Sequence, residues 1–225
     1  MADFETQLYI DEGAVLPFSA VRFDLVSFNN WVDHRLAERA PTELGTLALH
    51  LADANSIEAK LAPGALGMHV HDSNAPAIKL FMPRIIERAV KTWPEPDSEM
   101  QGLSISMSAG DVLVHETEHW LDSFFYPQET FEDPRRKRFL EVVGRAKEIY
   151  EKEGDFTDDD AKTIIAQVFD GVVEYMSKES YQEYSNLPHE VRAREAVAEF
   201  QRTFHPPVLG FTLKEPLSLS EEVTT

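Results

Sequence analysis

His115, Glu116 and His119 form the pattern H-E-x-x-H, whose residue types and spacing are suited to metal chemistry. Residues four apart lie on the same face of a helix, so the two imidazoles can bind one zinc ion. The glutamate after the first histidine then lies beside the metal, where it can take a proton from a zinc-bound water. We therefore expect His115 and His119 to be metal ligands and Glu116 to be a general base.

The residues around this pattern predict the helix that must carry it. Ser108-Ala-Gly-Asp111 resembles a capping box at the helix start, and Tyr126-Pro127 marks its end. A helical wheel places apolar residues on one side and the motif residues on the other. We expect the apolar side to pack on a sheet and the ligands to face a cleft. An ordinary amphipathic helix with a solvated polar face explains the wheel equally well, but not the ligand spacing.

Composition limits the classes of protein to consider. The 225 residues suit one domain, and a hydrophobic content of 43% supports a sizeable core. The absence of cysteine excludes thiolate zinc sites and a thiol nucleophile, so His, Asp and Glu must hold any metal. A net charge of −19 argues against nucleic-acid binding. No apolar run could span a membrane and no signal-peptide pattern opens the chain, so we expect a cytoplasmic location.

Strand patterns are concentrated before the motif and helix patterns after it. The first part predicts short strands at Thr46 to Ala52, Leu66 to Val70, Ile78 to Met82 and Leu103 to Met107, with a helix at Arg84 to Trp93. The second part predicts helices at Pro134 to Lys152, Thr157 to Met176 and Pro188 to about Phe204.

This order predicts one α+β domain over residues 1–225, in which a small sheet packs on the motif helix. Residues 1–126 would form a sheet lobe that includes the motif helix, and residues 127–212 would form a helical lobe. Residues 213–225 are polar and predict a loose tail.

A catalytic zinc ion usually has three protein ligands, so a third must be found outside the motif. The extended pattern H-E-x-x-H-x-x-G-x-x-H is absent because Asp122 replaces its glycine. Within Pro188 to Phe204, Glu190 lies about 60° from the centre of the apolar face, whereas Glu195 lies nearly opposite. A buried carboxylate needs a partner, and a metal would supply one. The simpler alternative is a carboxylate favoured by the helix dipole.

Two other glutamates, Glu141 and Glu174, lie nearer the motif in sequence and are lesser candidates for the third ligand. Several further residues are candidates for secondary roles. His69 and His71 could form a second metal site or line a groove, although a plain exposed strand face is the simpler interpretation. His189 could support a metal ligand or polarise a substrate carbonyl, and Asp122 could orient a ligand imidazole. Tyr181 and Tyr184 could stabilise an oxyanion, although most tyrosines at such positions only border the core.

H-E-x-x-H followed by a glutamate on a later helix resembles the gluzincin division of the zinc metallopeptidases. Residues 184–193, Tyr-Ser-Asn-Leu-Pro-His-Glu-Val-Arg-Ala, are similar to the P-x-E-x-x-A helix of small bacterial and phage members. The resemblance implies a zincin-like fold with a twisted sheet above the motif helix, and Glu190 as the ligand that completes the zinc site. It covers roughly 30 of the 225 residues. Arg194 stands where the better-known E-x-x-x-D form has its aspartate, which leaves the subfamily open.

Together these observations predict a zinc-dependent peptidase with one Zn²⁺ per chain, held by His115, His119 and Glu190, and a protein or peptide as substrate. Glu116 would take the proton from water and deliver it to the leaving amine. We expect neither a nucleic acid nor a membrane as partner, and the sequence does not predict the oligomeric state. A non-catalytic zincin-like sensor or binding module is the alternative, and a structural protein with a chance motif is a third possibility.

Overall fold

The computed structural model describes most of the chain, namely residues 4–15, 17–37, 44–53, 55–70, 76–94, 97–132, 134–169, 178–203 and 207–217. The strands within these residues are β1 Phe4–Ile10, β2 Phe18–Phe23, β3 Gly45–Ala52, β4 Gly67–Val70, β5 Ala77–Phe81 and β6 Leu209–Leu213. The helices are α1 Glu12–Val15, α2 Leu25–Leu36, α3 Ile57–Leu61, α4 Met82–Thr92, α5 Ser98–Phe125, α6 Pro127–Glu132, α7 Pro134–Glu153, α8 Asp158–Val168, α9 Lys178–Ser185 and α10 Pro188–Thr203. The protein is thus mixed α+β, with a small sheet first and a mainly helical second half.

The main sheet has four strands in the order β1-β3-β5-β4. β1, β3 and β5 are parallel, and β4 runs antiparallel to β5 at the edge. Leu49 lies opposite Leu8 on one side and Ile78 on the other. Alternate side chains of a strand point to the same face, so these residues share one face of the sheet. That face is buried and packs with α5 around Leu113 and Trp120. The predicted strands at Thr46 to Ala52, Leu66 to Val70 and Ile78 to Met82 correspond to β3, β4 and β5.

The motif helix α5 is longer than predicted and begins at Ser98. The Asp97 side chain caps it by accepting hydrogen bonds from the backbone N–H groups of Glu99 and Met100. The strand predicted at Leu103 to Met107 is therefore wrong, and the pattern at Ser108 to Asp111 is not a helix start. An alternating pattern of five residues is compatible with either a strand or a helix. In the helix, Ile105 is buried, whereas Leu103 and Met107, which are one turn apart, are exposed.

A second sheet lies against the first half of α5. It pairs β2 antiparallel with β6, a strand that the sequence did not predict. Gly102 permits this contact, because a Cβ at this position would lie 2.6 Å from the Phe211 carbonyl oxygen. Leu217, within the segment predicted as a loose tail, exchanges two hydrogen bonds with the Gln101 side chain.

The helices predicted after Pro127 are confirmed where the structure describes them. α7 and α8 pack with Leu61 of α3 around a small second core that contains Val142, Ile164 and Phe156. A capping box on Thr157 starts α8, at the position where the sequence predicted a helix to begin. α8 ends at Val168 with Phe169 as its C-cap, so the helix does not continue unbroken to Met176 as predicted, and residues 170–176 lie outside the described residues. No described helix is both long enough and apolar enough to cross a membrane.

Candidate metal centre

Helix α5 brings the two motif histidines together. His115 and His119 are one turn apart, and their Nε2 atoms lie 3.1 Å from each other. Their rings meet edge to face with centroids 4.7 Å apart. Both imidazoles therefore direct the same nitrogen toward one point beside the helix, as their spacing predicted.

Glu190 in the first turn of α10 completes the group. Its Oε1 lies 3.1 Å from His119 Nε2 and its Oε2 lies 3.4 Å from His115 Nε2. Four tetrahedral zinc ligands at 2.0–2.1 Å from the metal would be about 3.3 Å from one another. The three donor atoms thus have suitable spacing, and His115, His119 and Glu190 form the one such group among the described residues that could hold a metal ion.

The position of Glu190 follows from the packing of α10. Ala193, Ala196 and Phe200 on the same helix are buried, and Phe200 meets Trp31 of α2 edge to face at 5.3 Å. Glu190 lies one turn before Ala193 and is 5% exposed, so its carboxylate enters the interior together with this apolar face. Glu195 is exposed, as the helical wheel predicted.

The charges in the group are tightly coupled. Burial disfavours the Glu190 carboxylate, but hydrogen bonds with His115, His119 and Tyr184 hold the pKa of Glu190 well below its usual range. Burial also disfavours a charged His119, yet the hydrogen bond and negative charge of Glu190 outweigh it and raise the pKa of His119. A proton on His119 and a bound metal ion would each balance the negative charge of the buried Glu190 carboxylate. The two would therefore compete for the same ligand atoms.

The chemistry of these donors fits zinc. Two imidazole nitrogens and one carboxylate oxygen are the ligand types of open, catalytic zinc sites. Glu190 Oε1 is buried and lies 3.1 Å from His119 Nε2, so a cation bound between the two atoms would accept electron density from both. The His115 side chain is 25% exposed, against 10% for His119, so the group is reached from solvent on the His115 side.

Glu116 is held beneath the edge strand β4. The backbone N–H of His69 donates to Glu116 Oε2 at 2.7 Å. Gly67 makes this close approach possible, since a Cβ there would lie 2.5 Å from Val112 Cγ1 and 3.2 Å from Glu116 Cγ. The sequence signal that could have revealed this contact is the single glycine within a strand pattern.

Tyr184 and His189 border the group, as proposed from the sequence. The Tyr184 hydroxyl hydrogen-bonds to Glu190, and the His189 Nε2 atom lies 3.8 Å from Glu190 Oε1. The ring of His189 meets those of His119 and Tyr184 edge to face. The two side chains thus surround the carboxylate on the side of α10 and could also contact a bound ligand.

The polar side of α5 is covered rather than solvated. Glu118 is 1% exposed and accepts two hydrogen bonds from Arg35 of α2, at 2.9 and 3.1 Å. Arg35 also donates to Glu199 of α10 at 2.7 Å. This pairing compensates the charge that Glu118 places within the motif. The pairing of Glu118 with Arg35 was not foreseen, because the two residues lie 83 positions apart in the sequence.

The other sequence candidates have different outcomes. Glu141 is exposed on α7 and pairs with Arg145 of the same helix, so it is not part of the group. His69 is half-buried on β4 and also lies outside the group. His71 and Glu174 fall outside the described residues, and the Tyr181 side chain is not among those described.

Asp122 has an environment that the sequence did not predict. Its side chain is completely buried and accepts hydrogen bonds from Arg192 of α10. Its negative charge contributes to the raised pKa of His119.

The fold and site together define a mixed α+β protein with a three-residue group able to hold a metal ion. No known protein family, curated protein or solved structure matches the chain.

Proposed function

We propose that this protein is a zinc-dependent peptidase of zincin-like fold. The observation that carries the proposal is the convergence of His115, His119 and Glu190, with all donor atoms within 4.8 Å of one another and Glu116 next to the first ligand. Zinc on these residues would polarise a substrate carbonyl and acidify water. An ordinary amphipathic helix gives no reason for a buried glutamate from a distant helix to meet both motif histidines.

In this proposal Glu116 is the general base. Its carboxylate would take a proton from the attacking water and pass it to the leaving amide nitrogen. The hydrogen bond from His69 fixes one carboxylate oxygen, which leaves the other to handle the proton. Tyr184 and His189, which border Glu190 and His119, are the side chains that would donate to a developing oxyanion.

The edge strand offers a binding mode for a peptide. Within the described residues β4 pairs only with β5, and the N–H of His69 points away from that partner toward Glu116. An extended peptide could add beside β4 as a further strand, through main-chain groups of β4 other than the His69 N–H, which Glu116 engages. Such a mode would place a peptide bond beside Glu116 and favours unfolded segments as substrates.

Cleavage of an unfolded protein by the zinc-loaded chain tests the proposal. The parent should produce fragments, and Glu116→Gln should retain zinc while cleavage falls by about 10² or more. Glu195→Gln, which changes an exposed glutamate on α10, should behave like the parent. Zinc binding without any cleavage by the parent would favour a non-catalytic sensor or binding module instead.

A further inference from the structure

Arg192 joins the helix of the glutamate ligand to the helix of the histidines. Its Nε donates to the two carboxylate oxygens of Asp122 at 3.2 and 2.9 Å. Its Nη2 donates to Glu129 of α6 at 3.0 Å, and its guanidinium carbon lies 4.2 Å from the Tyr126 ring centroid. One side chain thus fastens α10 to the end of α5 and to the helix that follows.

The positions of the two partners make this contact relevant to the metal. Arg192 is two residues after Glu190, and Asp122 is three residues after His119. Each helical residue advances about 1.5 Å, whereas metal–ligand distances tolerate deviations of about 0.2 Å. A slip of α10 by even one residue would therefore separate the Glu190 carboxylate from the histidine nitrogens.

Apolar packing places α10 on the core, and directional contacts further oppose such a slip, because the hydrophobic effect itself has no preferred direction. α10 meets the core through the buried side chains of Ala193, Ala196 and Phe200. Two further polar contacts of α10 lie farther along the helix, from Glu199 to Arg35 of α2 and from Gln201 to Asp111 of α5. Among the described contacts between α10 and α5, the ion pair between Arg192 and Asp122 thus lies within three residues of a proposed ligand on each helix.

We propose that Arg192 is a positioning residue of the metal centre, which through buried Asp122 fixes the Glu190 carboxylate relative to His115 and His119. The inference rests on the proposed zinc site, but it does not depend on peptide hydrolysis. Electrostatics alone predicts the opposite effect, because removing a cation near a cation site should strengthen zinc binding. A loss of affinity on removing Arg192 would therefore indicate positioning.

The test is a zinc titration of Arg192→Gln against the parent, in competition with a chromophoric chelator. The zinc dissociation constant should rise about 10- to 100-fold, and Arg192→Lys should have an intermediate value. The visible absorption spectrum of the Co²⁺-substituted protein should also change, since it reports ligand geometry. Arg84→Gln is the matched control, because the Arg84 guanidinium donates to three carbonyl oxygens near α3. It should lower stability without altering zinc affinity or the cobalt spectrum.

A second variant keeps the test decisive if Arg192→Gln does not fold. Asp122→Asn combined with Arg192→Gln leaves no buried charge without its partner, and should fold yet bind zinc at least about 10-fold more weakly than the parent. A parent-like dissociation constant and cobalt spectrum in the folded variants would overturn the inference and leave the zinc site intact. A parent that binds zinc but cleaves nothing would remove the peptidase proposal alone. A parent that binds no metal would end both.

Discussion

The backbone N–H of His69 donates a hydrogen bond to the Glu116 carboxylate at 2.7 Å, which ties the edge strand β4 to the helix that carries His115 and His119. Gly67, two residues earlier on the same strand, has no room for a side chain against Val112 and Glu116. The position of the proposed base therefore depends on how closely this strand approaches the helix.

Gly67→Ala should impair hydrolysis more than it impairs zinc binding. The added Cβ must displace β4 or the Glu116 side chain, so we expect kcat/KM to fall by about 10-fold or more. Zinc content should stay near that of the parent, and stability should fall by about 1–3 kcal/mol. The measurements are peptide cleavage by the zinc-loaded protein, metal content and unfolding by urea.

Gly102→Ala is the control for this prediction, because its Cβ would be similarly close to the Phe211 carbonyl oxygen, at the β2–β6 sheet. It should lose stability while the folded protein keeps its kcat/KM. Equal losses of activity in the two variants would show that Gly67 has no special relation to Glu116.

Glu190→Ala should weaken zinc binding on the order of 10²-fold or more, because it removes one of the three donors. Glu195→Ala, on the exposed side of α10, should leave the zinc affinity unchanged. Parallel zinc titrations of the two variants and the parent make the comparison. Equal affinities for Glu190→Ala and the parent would exclude Glu190 as a ligand.

Local patterns predicted this part of the site well. The helical period of residues 188–204 placed Glu190 inward and Glu195 outward, and the spacing of His115 and His119 placed their rings together. Both depend only on the geometry of one helix. That Glu190 meets these histidines was an inference from the usual number of zinc ligands and from family resemblance, because nothing local specifies how α10 packs on α5.

The ion pairs around the site could not be predicted in this way. Arg35 and Glu118 are 83 residues apart, and Arg192 and Asp122 are 70 apart. The sequence does not distinguish a buried charged residue from a solvated one, so only the fold identifies these ion pairs. The strand predicted at Leu103 to Met107 failed for a related reason, because a short alternating pattern does not distinguish a strand from a helix.

Asp24 should contribute a pH-dependent share of the stability. It caps α2, and hydrogen bonds from the Ser27 backbone N–H and hydroxyl lower its pKa below 3.8. The stabilisation is therefore fully present well above pH 3.8 and is lost as the pH falls through the lower pKa of the folded state. Asp24→Ala should cost about 1 kcal/mol at neutral pH.

Asp24→Asn is the matched control for the cap, since an amide oxygen can still accept the hydrogen bond. It should keep most of the stability at neutral pH and flatten the fall in stability at acidic pH. Urea unfolding at several pH values would measure both effects. An alanine variant as stable as the parent at neutral pH would show that the cap contributes nothing.

Metal content is the most direct measurement of whether His115, His119 and Glu190 form a zinc site. Protein purified without chelator or added metal should carry about one zinc ion per chain, because these residues make one set of ligands. Two tightly bound ions would instead point to a second site at His69 and His71. Metal content near zero, with no uptake when zinc is added, would contradict the account.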